Sequence, residues 1–153
     1  QIAPEHSAIY ETNEQAYLSK LAQLDNEYQT AVDEAHTKTI LFGDRFPFRY
    51  LTDDYGLDYY AAFVGCSADT EASFETIAFL SGKVDELDLD TILVLEGSNH
   101  KIAETIQQTT KKKNQEILQM NSIQSVSHKE IETGFTYLQA MQDNLEVLKK
   151  AID

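Results

Sequence analysis

Residues 39–60 read TILFGDRFPFRYLTDDYGLDYY, and this stretch decides the fold. It opens on an apolar run, Ile40-Leu41-Phe42, that reads as a short buried strand. Gly43 stops the run, and Asp44 and Arg45 follow at once. After Pro47, Phe48 to Tyr55 has the pattern of a short helix, with Gly56 placed as a C-cap. A second strand is predicted from Leu57 to Val64. The unit is strand, loop, helix, strand, with charged residues at the first strand's carboxyl end. Open α/β sheets bind ligands outside the carboxyl ends of their strands, so a site is expected there.

The rest of the chain repeats the alternation. Residues 4–35 predict one long helix: Pro4 suits a first helical position, and Tyr10, Tyr17, Leu21, Leu24, Tyr28 and Ala31 make one apolar stripe. Unbroken, it would span roughly 48 Å, more than one small domain needs. The alternative is a break near Thr12, whose side chain would cap a second start with Gln15 three residues on. Beyond the second strand come a loop around Cys66, a helix from about Ser73, and the clearest strand, Thr91 to Leu95. A helix from about His100 to Thr110 follows, then a weaker strand over Glu116 to Met120 and a polar loop over residues 121–130. A last helix is predicted from Ser127 or Glu130 to Ile152. The fold class is α/β, a four-stranded parallel sheet flanked by helices with a long amino-terminal helix.

Composition narrows the function. The 153 residues suffice for one domain with a core. The formal charge of −14 argues against nucleic acid and anionic membrane surfaces as partners, since both need basic patches. Lys111-Lys112-Lys113 sits at a helix carboxyl end, where the dipole alone accounts for it. The single cysteine, Cys66, excludes a disulfide within the chain and a Cys-rich metal framework. No apolar run of membrane length is present. The chain starts at Gln1 without a methionine, as a processed form or an excised piece would.

No phosphate-binding glycine loop, Gly-x-Ser-x-Gly elbow or His-Glu-x-x-His occurs. The four histidines, at 6, 36, 100 and 128, are scattered. His6 and His36 flank the first helix and read as surface residues, His100 falls at a helix start, and His128 falls in a loop or at a helix start. Two carboxylates stand out: Asp44 ends the first strand and Glu96 the third, on one edge of a parallel sheet. Three readings remain open on the residues alone. The pair offers two oxygen ligands to a cation, or a general acid and base, or one of the two pairs with Arg45 structurally. Cys66, after the second strand, is either a soft ligand or a buried inert thiol. Phe46-Pro47-Phe48 reads as hydrophobic cover over the loop.

At these motifs the sequence resembles the carboxyl-terminal lobe of the zinc- and manganese-binding proteins of bacterial ABC importers, the cluster A-I solute-binding proteins. Tyr17-Leu18-Ser19-Lys20-Leu21 with Leu24-Asp25-Asn26-Glu27-Tyr28 resembles the family's long linker helix. Tyr50 to Leu57 is similar to the segment after its third histidine ligand, and Glu71-Ala72-Ser73 to a Glu-Pro-Ser helix entry. Thr91 to Glu96 with Lys101 to Ile106 resembles the strand of the acidic ligand and the next helix. Tyr137-Leu138, Met141, Asn144-Leu145 and Leu148 match the final helix.

The resemblance implies a division into residues 1–36, an inter-lobe linker helix, and 37–153, a carboxyl-terminal lobe, with the amino-terminal lobe absent from this chain. It also implies that no reaction is catalysed, that the cargo is zinc, with manganese the alternative, and that the partner is an ABC transporter permease. The place would be extracytoplasmic, periplasmic or lipid-anchored to the outer face of the cytoplasmic membrane. The family's third histidine is not a histidine here. Aligning through Lys38 to Gly43 puts Asp44 at its position, and aligning back from Tyr55-Gly56-Leu57 puts Arg45 there. A guanidinium cannot bind a metal cation and a carboxylate can, so the role passes to Asp44. The carboxylate ligand maps onto Glu96. With half the ligands elsewhere, this chain alone should hold zinc weakly or stand empty. The rival readings are a small α/β enzyme using Asp44 and Glu96 as acid and base, and an interaction module without a ligand.

Overall fold

The computed structural model describes residues 3–63 and 72–153. A turn of 3-10 helix at Pro4–His6 leads into α1, Ser7–Asp33. Then follow β1 (Thr39–Arg45), α2 (Arg49–Tyr55), β2 (Asp58–Phe63), α3 (Phe74–Leu87), β3 (Thr91–Leu95), α4 (Lys101–Thr109) and β4 (Glu116–Met120). Two helices close the chain, α5 (His128–Glu132) and α6 (Tyr137–Ile152). Among the described residues the strands form one parallel sheet in the order β2-β1-β3-β4, as the alternation predicts. The strand expected to end at Val64 is described as far as Phe63, and Cys66 lies outside the described residues.

Each face of the sheet carries its own core. On one, Ile40, Phe42, Leu93, Leu95 and Met120 pack under α1, α2 and α6 through Leu24, Tyr28, Leu145 and Leu148. On the other, Leu41, Ile92 and Val94 pack under α3 and α4 through Leu80, Val84, Ala103 and Ile106. All five residues of β3 are buried, so this strand alternates its side chains between the two cores. Phe46 and Phe48 are more than loop cover. Phe46 is 2% exposed, stacks on Tyr59 at 3.6 Å between centroids and meets Phe42 edge-on.

The long helix is unbroken from Ser7 to Asp33. Thr12 caps no second start; its hydroxyl donates to the Ala8 carbonyl at 2.8 Å, one turn back within the helix. Only the carboxyl-terminal third of α1 is buried, by Leu24, Tyr28 and Val32. Tyr28 donates to the Met141 carbonyl at 2.7 Å and stacks on Tyr55, which donates to Asp25 at 2.8 Å. Burial, and for Tyr55 also the Asp25 bond, raises both phenols and keeps them protonated. The amino-terminal part stands off the sheet, with Ile9, Tyr10, Tyr17 and Leu18 exposed. At 1.5 Å per residue α1 is about 40 Å long.

Two expectations need correction. Gly43 does not stop the first strand, which runs to Arg45. A Cβ there would lie 2.7 Å from both Cα and Cβ of Ala103, so Gly43 lets α4 pack directly on β1. The last helix is also two helices. Gly134, at φ 90°, ends α5, and the Thr136 side chain accepts from Gln139 N–H to start α6. The other punctuation holds: Gly56 takes a left-handed C-cap at φ 69°, and the Ser73 side chain caps α3 through Thr76 N–H. Lys112 pairs with Asp88 and the Lys111 N–H donates to Asp85, which ties the basic run to the end of α3.

Candidate metal centre

The first candidate donor sits on an irregularity in β1. Against β2 the register runs Phe42 to Ala61 and then Arg45 to Phe63, so β1 holds one residue more than its partner across this step. Such a bulge bends a strand and re-aims its side chains. The half-buried Asp44 side chain turns toward β3: Oδ2 accepts from the Leu95 N–H at 3.3 Å, and Oδ1 from the Arg45 N–H at 2.8 Å. The Arg45 Nε lies 3.8 Å from Oδ1, with the arginine side chain 43% exposed. That is the expected pairing with Asp44, and at this distance and exposure it is a weak one.

The second candidate ends β3. Glu96 donates its N–H to the Met120 carbonyl at 3.1 Å, and Gly97 turns the chain away at φ 72°. Both carboxylate oxygens accept from one residue of the loop after β4. The Ser122 N–H donates to Oε2 at 2.8 Å, and the Ser122 hydroxyl makes a short bond to Oε1. The loop is anchored in turn. Asn121 N–H donates to Asn144 Oδ1 at 2.7 Å, and Asn144 Nδ2 donates to the Asn121 carbonyl at 2.8 Å. Asn144 projects from α6 and is 2% exposed.

β1 and β3 are neighbours, with Phe42 opposite Leu93, so Asp44 and Glu96 do end adjacent strands on one edge. Asp44 reaches Leu95, the residue before Glu96. A carboxylate has about four lone-pair sites. Asp44 and Glu96 each give two to the bonds above, which leaves oxygen valence for a hard or borderline cation. Two donors fill half of a four-coordinate zinc site. Among the described residues no three or more His, Cys, Asp or Glu side chains gather to hold a metal ion. His100 takes a left-handed turn before α4, and His128 opens α5. His36 bonds through Nδ1 to Asp153 O, at 2.7 Å.

A large groove opens elsewhere on the described surface. That groove, about 1020 Å³, runs between α1 and the end of α6, past Asn26, Thr30, Lys149 and Ile152, and neither carboxylate lines it. Ser122 was not singled out by sequence reading, and Asn144 entered only in the match to the final helix, with no role given to it. Ser122 lies in an unpatterned polar loop. Asn144 carried a signal, a polar residue on an apolar helix face between Met141, Leu145 and Leu148.

The chain is similar to known proteins along nearly its whole length. Residues 1–151 match the family described as ZnuA, the periplasmic zinc-uptake complex component A. The high-affinity zinc uptake system protein ZnuA of Bacillus subtilis is 30% identical over 149 residues, 97% of this chain and 45% of that protein. The zinc-binding protein AdcA of Streptococcus pyogenes is 29% identical over 150 residues, 98% of this chain and 28% of that one. Among solved structures, the metal-dependent lipoprotein YcdH from Bacillus subtilis superposes with a TM-score of 0.80 at 28% identity, covering 99% of this chain and 56% of that one. The Zn(II)-bound ZnuA-like domain of Streptococcus pneumoniae AdcA gives 0.75 at 28% identity, over 98% and 54%. The chain thus spans about half or less of the length of these relatives. It shares their α/β architecture along nearly its whole length, and it belongs to the family of the zinc-uptake complex component A.

Proposed function

We propose that this chain is the carboxyl-terminal lobe of an extracytoplasmic protein that binds zinc and hands it to an ABC transporter permease, with Asp44 and Glu96 as the lobe's metal donors. The observation that carries the reading is the placement of two carboxylates on adjacent strand ends of an open sheet edge, in a chain whose relatives are named for zinc binding and uptake. Zinc is cargo here, bound and released unchanged. Manganese remains the alternative cargo, because an oxygen-rich donor set is harder and less selective for zinc. The acid–base reading of the pair draws no support from the family.

The remaining donors would come from the amino-terminal lobe. Residues 1–36 would join the lobes, with the anchored end of α1 in this lobe and its exposed end, Ile9 to Leu18, against the other. Tyr50, at 84% exposure, and Tyr137, at 52%, follow the carboxyl ends of β1 and β4, where a covering lobe would bury them. A location outside the cytoplasmic membrane fits the family's description as periplasmic and the lipoprotein relatives. No described helix is long and apolar enough to cross a membrane. The test is zinc titration of this 153-residue chain and of the full-length protein. The chain alone should bind zinc at about micromolar or weaker, since two carboxylates leave a tetrahedral site half filled, and the full-length protein far more tightly. Tight stoichiometric zinc on the chain alone would contradict the shared site and point to unassigned donors, Cys66 and His100 first.

A further inference from the structure

We infer that Tyr28 and Tyr55 form a pivot and a latch that set the angle at which α1 leaves this lobe. The device needs no metal and is independent of which side chains bind one. No residue of α1 before Leu24 is buried, so the direction of the helix is decided between Leu24 and Val32. That footing is about 12 Å long, and the arm from Ser7 to Gln23 is about 25 Å, twice its length. A tilt of about 10° at the footing moves the end of the arm by about 4 Å. Leu24 and Val32 are held by apolar contact, which has no preferred direction and lets a helix roll and tilt. Hydrogen bonds have direction and can fix the angle.

Two such bonds tie α1 down, one turn apart and to different elements. Tyr28, 1% exposed, donates its hydroxyl to the Met141 carbonyl in α6 at 2.7 Å. Burial shields this bond from water, which makes it the pivot. Asp25, on the exposed side, accepts from the Tyr55 hydroxyl at 2.8 Å. Tyr55 is the last residue of α2, and that end is wound shut, with the Gly56 and Leu57 N–H groups both donating to the Thr52 carbonyl. The two phenol rings stack with centroids 5.2 Å apart and planes at 14°. The stack keeps α2 beside the pivot whether or not the outer bond is made. Water reaches the outer bond and can replace it, so the latch can open while the pivot stays shut. Closed, it braces α1 on α2, the helix that follows the carboxyl end of β1. Open, it leaves α1 free to tilt about Tyr28.

The test is a spin-label distance in the full-length protein without metal, between Gln15→Cys on α1 and Gln108→Cys on α4, both exposed, in a Cys66→Ser background. With the latch intact the distance distribution should be narrow. Tyr55→Phe keeps the stack and removes the bond. It should broaden the distribution by about 4 Å and leave the urea midpoint of unfolding unchanged. Asp25→Ala should broaden it equally, and the double variant no further. Tyr28→Phe removes the pivot and should lower the midpoint. If neither Tyr55→Phe nor Asp25→Ala broadens the distribution, apolar packing alone sets the angle and the latch is overturned. Additive broadening would also overturn it, because the two residues would not act through one bond. So would a loss of midpoint from Tyr55→Phe as large as that from Tyr28→Phe, since the bond would then hold the fold rather than the angle.

Discussion

Asp44 and Glu96 end neighbouring strands of one sheet, yet they are set in different ways. Asp44 is placed by backbone: a one-residue bulge in β1 and two N–H donors, from Arg45 and Leu95. Glu96 leaves a regular strand, and its carboxylate is placed by a relay of side chains, Ser122 to the Asn121 backbone to Asn144 on α6. A strand irregularity is a rigid device, because changing it means repacking the sheet. A relay through a loop answers to whatever moves the loop or the helix behind it. Of the two carboxylates, Glu96 is therefore the one that a shift of α6 would re-aim.

Perturbing each device by itself separates the two. At the Asp44 end, Gly43→Ala drives a Cβ to 2.7 Å from Ala103, backbone included. We expect a loss of about 3 kcal/mol in unfolding free energy by urea titration, from forced separation of α4 and β1. A loss below about 0.5 kcal/mol would mean that the close approach is easily relieved and the bulge is softer than argued. At the Glu96 end, Asn144→Ala strands the N–H and C=O of Asn121 and should cost about 2 kcal/mol. Hydrogen exchange should quicken in residues 121–124 and stay unchanged in β1. Equal effects on both would erase the distinction. Smallest is Arg45→Gln, expected to change stability by less than about 0.5 kcal/mol, since the pair it breaks is long and exposed. If Asp44 binds zinc, losing this neighbouring cation should tighten zinc by about twofold at low salt. A weakening would place Arg45 on the side of the site.

The sheet was readable from the sequence because its strands are apolar runs between strong punctuation. Thr91 to Leu95 is buried at every position, Gly56 caps the helix it was expected to cap, and α3 starts beside Ser73, where a helix start was expected. Gly43 misled because a glycine reads as a stop, whereas here it makes room for Ala103 on an element sixty residues away in sequence. Two ways of aligning the stretch differ by one residue, at the place where β1 holds one residue extra. The split of the last helix was signalled by Gly134 and Thr136. The candidate site was half legible. Carboxylates at strand ends can be picked out from position alone, but Ser122 enters only through tertiary contact, and no local pattern marks it.

The most direct test is zinc affinity of the full-length protein with Asp44→Ala and Glu96→Ala made separately, each checked by thermal unfolding. Both side chains sit at the sheet edge outside the two cores. The account predicts that each substitution weakens zinc by about a hundredfold or more, because a four-coordinate ion loses a charged donor, while the melting temperature moves by only a few degrees. Unchanged zinc binding in either folded variant, or loss of the fold with zinc binding intact in what remains, would show that carboxylate to be structural and contradict its assignment as a metal donor.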